Sequence, residues 1–105
     1  MNSITEQWIA QCVREGTYYF TSHADEERMN DALTILEVEQ AIENARIIEY
    51  YEDSGRGESC LVVGFTAKGL PVHAVCGSRQ NVLVLVTIYV PGPPKFVTPF
   101  QRGEK

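Results

Sequence analysis

Two histidines, His23 and His73, and the tyrosine Tyr89 are the side chains in this sequence that best suit acid–base chemistry. An imidazole gains or loses a proton near neutral pH, and a phenol can donate a hydrogen bond to a reacting or bound oxygen. Thr87 adds a second hydroxyl two positions before Tyr89. These side chains can act together only if the fold places them on one surface. The predicted strands around His73 therefore determine whether they can form one site.

Strand alternation places His73 in a predicted hairpin. If Lys68 and Gly69 are the two residues of a tight turn, Gly64 pairs directly with His73. A glycine inside a strand marks the close approach of a ligand or of another backbone, so Gly64 is a candidate binding residue. This register predicts an apolar core face made of Leu61, Val63, Phe65, Val72, Ala74 and Cys76.

The last predicted strand, 82–90, has an apolar side chain at every second position. Since such a row is expected to join the core, the intervening residues Leu83, Leu85, Thr87 and Tyr89 are expected on the face of His73. The core row comprises Val82, Val84, Val86, Ile88 and Val90. A structural alternative remains open, in which a neighbouring hydroxyl simply satisfies a half-buried His73.

His23 and Arg28 belong to a predicted short helix. His23 lies where a strand gives way to this helix, beside free backbone amides, so it is either an exposed residue of the capping region or a binding residue. Arg28 follows five residues later and points to a neighbouring face of the helix. An ion pair of Arg28 with Asp25 or Asp31 is favoured over a role in a site.

Helix caps and apolar spacing predict the elements that position these residues. Ser3 and Glu6 form a predicted capping box for a first helix that ends at Gly16, and Thr34 and Glu37 form another. The predicted elements are a helix up to Gly16, a strand at 17–21, a helix from Ser22 to Asn30 or Asp31, a helix from Thr34, and strands at 47–51, 59–67, 70–77 and 82–90.

A chain of 105 residues accommodates one core. The elements predict an α+β fold, in which an antiparallel sheet of about four to five strands carries helices mainly on one face. The expected organisation is an N-terminal helix at 1–16, an α+β domain at 17–96 and a C-terminal tail at 97–105. Four prolines between positions 91 and 99 predict an extended, non-helical end.

Charge and cysteine usage exclude several classes of protein. Residues 1–58 carry a net charge of −9 and residues 59–105 carry +4, which suits acidic helix faces in water or a partner met by one face. The overall charge of −5 counts against wholesale nucleic-acid binding. The three cysteines are widely spaced and predict buried reduced thiols, with no metal site and no cofactor. Without a signal peptide or a long apolar run, a cytoplasmic location is expected.

Five ordered motifs resemble one known family. They are S-H-A-D-E-E-R-M (22–29), T-I-L-E-V-E-Q-A-I-E-N-A-R-I-I-E-Y-Y (34–51), S-C-L-V-V-G-F-T (59–66), G-L-P-V-H-A-V (69–75) and V-T-I-Y-V-P-G-P-P-K-F (86–96). Together they are similar to the bacterial domain-of-unknown-function family 4258. The resemblance implies a small β-α-α-β-β-β domain similar to RelE and BrnT toxins, with an additional N-terminal helix in this chain.

The resemblance maps onto His23, Cys60, Gly64, His73 and the pair of Thr87 and Tyr89. Members commonly end in P-x-x-W, where this chain has Phe96 and lacks the indole donor. Toxin-like relatives have a second arginine in an H-A-x-x-R-M-x-x-R pattern, and here Asp31 and Ala32 occupy that stretch. The missing positive charge weakens the case for phosphate stabilisation.

Two functions follow from the resemblance and the residues. One is a metal-independent, RelE-like endoribonuclease, with His73 or His23 as base and acid, Tyr89 as donor and Arg28 or Arg79 holding phosphate. The other, which the acidic balance favours, is a non-catalytic, toxin-like binding or interaction module that uses the sheet face around His73 and Tyr89. Expected partners are a second copy or an antitoxin-like protein, RNA in the enzymatic alternative, and no membrane.

Overall fold

The computed structural model describes residues 4–51, 57–91, 96–98 and 101–102. The elements follow one another as α1 (Glu6–Glu15), β1 (Tyr18–Phe20), α2 (Ser22–Asn30), α3 (Ile35–Glu43), β2 (Arg46–Tyr51), β3 (Ser59–Phe65), β4 (Pro71–Arg79), β5 (Val82–Tyr89), β6 (Phe96–Thr98) and β7 (Gln101–Arg102). Within the described ranges, none of the helices combines the length and the apolar character needed to cross a bilayer.

The helix ends follow their capping chemistry. The predicted box of Thr34 and Glu37 at the start of α3 is confirmed, and Gly16 ends α1 in the left-handed conformation at φ 75°. The predicted box at α1 is wrong. Thr5 caps this helix by accepting a hydrogen bond from the Trp8 amide at 3.1 Å, and Ser3 lies outside the described residues. Glu6 instead accepts a hydrogen bond from the Ile47 amide at 2.9 Å, which ties α1 to the edge of β2.

The five main strands form a sheet in the order β1-β5-β4-β3-β2, with all three helices on one face. The predicted α+β class is confirmed. The sheet is mixed rather than wholly antiparallel, because β1 runs parallel to β5 and no hairpin joins these two strands. The remaining three pairings are antiparallel, and the short strands β6 and β7 pair separately.

The connection between β3 and β4 corrects the predicted register. Five residues, 66–70, separate the strands, and the Thr66 amide donates to the Leu70 carbonyl while the Leu70 amide donates to the Thr66 hydroxyl. His73 therefore pairs with Val63, and Gly64 pairs with Val72. A shift of one residue reverses the faces of a strand. The helix-facing core thus contains Cys60, Val62, Val72, Ala74 and Cys76, and the predicted core positions Leu61 and Val63 lie on the opposite face.

A bulge in β5 produces a second correction. Val75 pairs with Thr87 and Cys76 pairs with Leu85, so Val86 is an additional residue in this strand. Before the bulge, Leu83 and Leu85 belong to the helix-facing core, contrary to the alternation of the sequence. After it, the alternation is restored as predicted, with Ile88 in the core and Thr87 and Tyr89 on the face of His73.

Candidate functional site

The sheet face opposite the helices carries the candidate site. One row of directly paired residues crosses all five strands on this face. In the order of the strands, this row is Tyr19, Val84, Gly77, Ser59 and Tyr51. Tyrosines stand at both edges of the row, while glycine at its centre contributes no side chain. The row therefore forms a groove with a low apolar floor and polar, aromatic sides.

The groove has a volume of about 550 Å³ and continues along β4 from Val75 to Arg79. Val84 and Val86 extend its apolar floor, and the lining residues on this face that carry hydroxyl groups are Tyr19, Thr21, Tyr51 and Ser59. A cavity of this size with an apolar floor and a few polar groups has the character of a site for a small ligand.

Arg79 gives the groove a positive charge. In the part of the chain that the structure describes, its side chain makes no ion pair. Glu58 also lines the groove, and its Oε1 accepts a hydrogen bond from the Ile4 amide at 3.2 Å. A guanidinium beside several hydroxyl donors can bind a carboxylate or a phosphate.

His73 and Tyr89 come together as the sequence predicted. They are direct partners across β4 and β5, with His73 Nδ1 at 3.2 Å from the Tyr89 hydroxyl and ring centroids 5.2 Å apart. His73 is completely buried. His73 lies two residues before Val75 on β4, and it does not line the groove. The pair is therefore a packed and hydrogen-bonded unit in which the His73 ring is enclosed and Tyr89 is partly exposed.

Thr87 lies on the same sheet face as His73 and Tyr89, again as predicted. It is the direct partner of Val75, and it is partly buried. Thr87 therefore lies between the pair of His73 and Tyr89 and the open groove. The structure places it on the predicted face without assigning it a ligand.

Arg28 lies on α2, away from this groove. Its guanidinium donates to Asp25 Oδ1 at 2.7 and 2.9 Å and to the Leu33 carbonyl at 2.9 Å, and its charge lies 5.9 Å from the centre of the Phe20 ring. The ion pair with Asp25 that the spacing favoured is confirmed. Because its donors hold the connection between α2 and α3, Arg28 is a structural residue in this conformation.

His23 also lies on α2, with two thirds of its side chain exposed. Its Nε2 is 3.3 Å from Glu27 Oε1, and the same oxygen accepts a hydrogen bond from the Ile88 amide at 3.0 Å. Asp31 accepts in the same way from the Val90 amide at 2.9 Å. Glu27 of α2 and Asp31 at its C-cap thus cover the edge of β5 beyond β1, and the mostly exposed His23 contacts Glu27 from the solvent side.

Gly64 faces α3 and pairs with Val72, which corrects the predicted pairing of Gly64 with His73. A Cβ atom at this position would lie 1.8 Å from the Ala41 carbonyl oxygen. A glycine within a strand allows either a ligand or another backbone to approach closely, and here it is the backbone of α3 that approaches. Gly64 allows α3 to pack directly on β3, and it positions the core rather than a ligand.

The sequence did not single out several residues of the groove, among them Tyr19, Tyr51 and Gly77. Each lies in or beside a predicted strand, but their shared row depends on the order of five strands and on the register of each pairing. The signal available in the sequence was a glycine at the end of an apolar run, which by itself does not distinguish a strand end from the floor of a groove.

Two further groups have shifted pKa values. Burial, together with the hydrogen bond that the Tyr18 hydroxyl donates to Glu39, raises the pKa of Tyr18 well above its usual value.

Cys60 and Cys76 are direct partners across β3 and β4. The hydrogen bond with Cys60, and then burial, raise the pKa of the Cys76 thiol. All three cysteines are buried and reduced, as predicted. Among the residues described, no group of three His, Cys, Asp or Glu side chains could hold a metal ion.

Comparison with known proteins gives one match. The family model described as "Domain of unknown function (DUF4258)" matches residues 20–90, which is more than half of the chain and includes β4, β5 and most of the groove. No curated protein and no solved structure matches the chain.

Proposed function

We propose that this chain, which belongs to the DUF4258 family of domains of unknown function, is a non-catalytic binding module that uses the sheet face opposite its helices. The observation that supports the proposal is the groove of about 550 Å³ around Gly77, open on the same sheet face as the buried His73 and its partly buried partner Tyr89. The accessible groups belong to the groove, whereas the histidine best placed for acid–base chemistry is enclosed.

The groove favours an anionic ligand with an apolar body. Arg79 supplies the positive charge, the hydroxyls of Ser59 and Tyr19 supply hydrogen bonds, and Val84 and Gly77 provide a flat apolar floor. The toxin-like character of the domain, and a second copy or an antitoxin-like protein as its partner, are also parts of this proposal. In each case the ligand or the partner would present a carboxylate or phosphate to Arg79.

A binding titration observed at individual backbone amides tests the proposal. Uniformly ¹⁵N-labelled protein would be titrated with aromatic carboxylates and aromatic phosphates, and we expect shifts around Gly77 and Arg79. Arg79→Gln should weaken binding about tenfold, the loss of one charge-assisted hydrogen-bonding partner. Arg14→Gln removes the same charge from α1 and is the matched control, because Arg14 pairs with Glu43 outside the groove. Shifts elsewhere, or equal effects of both variants, would contradict the proposed site.

A metal-independent endoribonuclease is the second candidate, and the 3.2 Å contact between His73 and Tyr89 favours it. The assay is incubation of the protein with a mixed RNA pool in EDTA, with and without ribosomes. We expect no cleavage by folded protein. Cleavage that persists in EDTA and is lost in Tyr89→Phe, with an unchanged circular dichroism spectrum, would replace the binding module by the enzyme.

A further inference from the structure

Strand β1 leaves one edge of the main sheet open. It stands at the end of the strand order and pairs only with β5. At the other end of the order, the Ile47 amide of β2 donates a hydrogen bond to Glu6, and α2 covers the part of β5 beyond β1. The outer edge of β1 has no comparable cover within the described residues. An uncovered edge is a template for pairing with another chain.

The backbone groups that face outward from β1 can be identified. Leu83 donates to the Thr17 carbonyl and Thr21 donates to the Leu85 carbonyl. In a parallel pair, alternate residues of a strand direct both their amide and their carbonyl to the partner. Thr17, Tyr19 and Thr21 therefore face β5, while Tyr18 and Phe20 direct their amides and carbonyls away from the sheet. Four main-chain groups are thus available at this edge.

A second cavity, of about 610 Å³, runs along this open edge. It is lined by Gly16, by residues 18–22 and, on the helix side, by Asp25, Ile35 and Glu39. Ile35 leaves about half of its surface exposed, so the cavity has an apolar contact beside the open backbone. The space next to β1 can therefore accept the side chains of an added strand as well as its backbone.

The negative charge beside this edge favours a positively charged strand as the partner. Residues 22–43, which contain α2 and α3, carry seven acidic residues against the single arginine Arg28. Glu39 and Asp25 line the cavity, and Arg28 already neutralises the Asp25 carboxylate. A second copy of this chain would bring the same acids to the same place, and like charges oppose that contact. A basic partner would be attracted.

We propose that β1 binds an extended, basic segment of another polypeptide, which joins the sheet as a sixth strand beside Tyr18 and Phe20. The main chain of that segment would pair with the four outward backbone groups, and lysine or arginine side chains on its helix-facing side would meet Glu39. This surface is distinct from the Arg79 end of the groove, so the inference stands independently of the proposed function.

Amide hydrogen exchange with a defined peptide tests the proposal. The probe is a heptapeptide of alternating lysine and valine, at a free concentration ten times its dissociation constant. Exchange at Tyr18 and Phe20 should slow by roughly tenfold, the factor expected from the remaining free fraction. Tyr19 and Thr21 serve as internal controls, because their amides face β5 and should be protected both without and with the peptide.

Two further comparisons separate strand addition from general attraction. A peptide with glutamate in place of lysine, and a lysine–valine peptide with every backbone amide N-methylated, should not bind. Glu39→Gln, which keeps an acceptor for Tyr18, should weaken binding several-fold, while Glu43→Gln removes the same charge from the same helix and should not. Arg79→Gln should leave peptide binding unchanged.

Several results would overturn the proposal. The first is that the lysine–valine peptide does not bind. The second is that exchange at Tyr18 and Phe20 is unchanged in the bound state, and the third is that the methylated peptide binds equally well. Failure of the groove titration with Arg79→Gln would bear only on the proposed function, because that variant leaves the β1 edge intact.

Discussion

Gly64→Ala should strongly destabilise the fold, although it adds only one methyl group. The new Cβ would lie 1.8 Å from the oxygen and 2.5 Å from the carbon of the Ala41 carbonyl group. These are backbone atoms of α3, so they cannot rotate away as the end of a side chain can. Ordinary contact between such atoms requires about 3.5 Å, and α3 would therefore have to withdraw from β3 by roughly 1.5 Å.

The expected cost follows from the packing that this withdrawal disturbs. Val38, Ala41 and Ile42 of α3 are fully buried against the sheet. Overpacking a core typically costs about 1–3 kcal/mol, and a clash with a rigid helix backbone belongs at the upper end. A loss of about 3 kcal/mol lowers the melting temperature of a domain of this size by roughly 12–24 °C. It also removes a large part of a typical stability of about 5–15 kcal/mol.

The assay is urea and thermal unfolding followed by circular dichroism, with Gly77→Ala as the matched control. At Gly77 the nearest atom to a new Cβ would be a methyl carbon of Val86 at 3.8 Å, an ordinary contact. Gly77→Ala should therefore be neutral or stabilising by up to about 1 kcal/mol, since glycine within a strand is unfavourable. A Gly64→Ala protein within about 0.5 kcal/mol of wild type would refute the packing of α3 on β3 described above.

Four further outcomes are expected. Stability should fall as the pH rises above about 10, because the raised pKa of Tyr18 keeps its proton in the folded state while the unfolded state releases it, and absorbance at 295 nm should show a late-titrating tyrosine that Tyr18→Phe removes. Native protein should leave Cys76 and the two other buried thiols unreactive to Ellman's reagent, and unfolding should expose three; rapid native reaction would contradict their burial. His73→Ala should cost about 2–4 kcal/mol in urea unfolding through lost packing of a buried ring, and an unchanged midpoint would contradict that burial. Replacing Gln80 and Asn81, whose φ angles are 53° and 65°, by Asn-Gly should raise stability by about 1 kcal/mol, and a lower melting temperature would count against the described turn.

Much of the local structure could be predicted from the sequence, because caps and periodicity act over a few residues. The box at Thr34, the left-handed end at Gly16 and the ion pair of Arg28 with Asp25 all depend on neighbours within one turn. The grouping of His73 with Tyr89 was also predicted. That prediction was correct although the predicted hairpin register was wrong and the bulge at Val86 was missed. The bulge comes before Thr87, so Thr87 and Tyr89 still lie on the face that simple alternation predicts.

The sequence alone is enough to infer the α+β class, the capping box at Thr34, the left-handed end at Gly16, the three reduced cysteines and the family. The roles of the glycines and arginines depend instead on tertiary contacts. Gly64 accommodates α3 and Gly77 opens a groove, a difference that depends on which face each strand turns toward the helices. Arg28 is held within the fold and Arg79 lines the groove. A residue type and its local spacing do not contain this information, because contacts between distant segments are fixed by strand order and by a register that one inserted residue reverses.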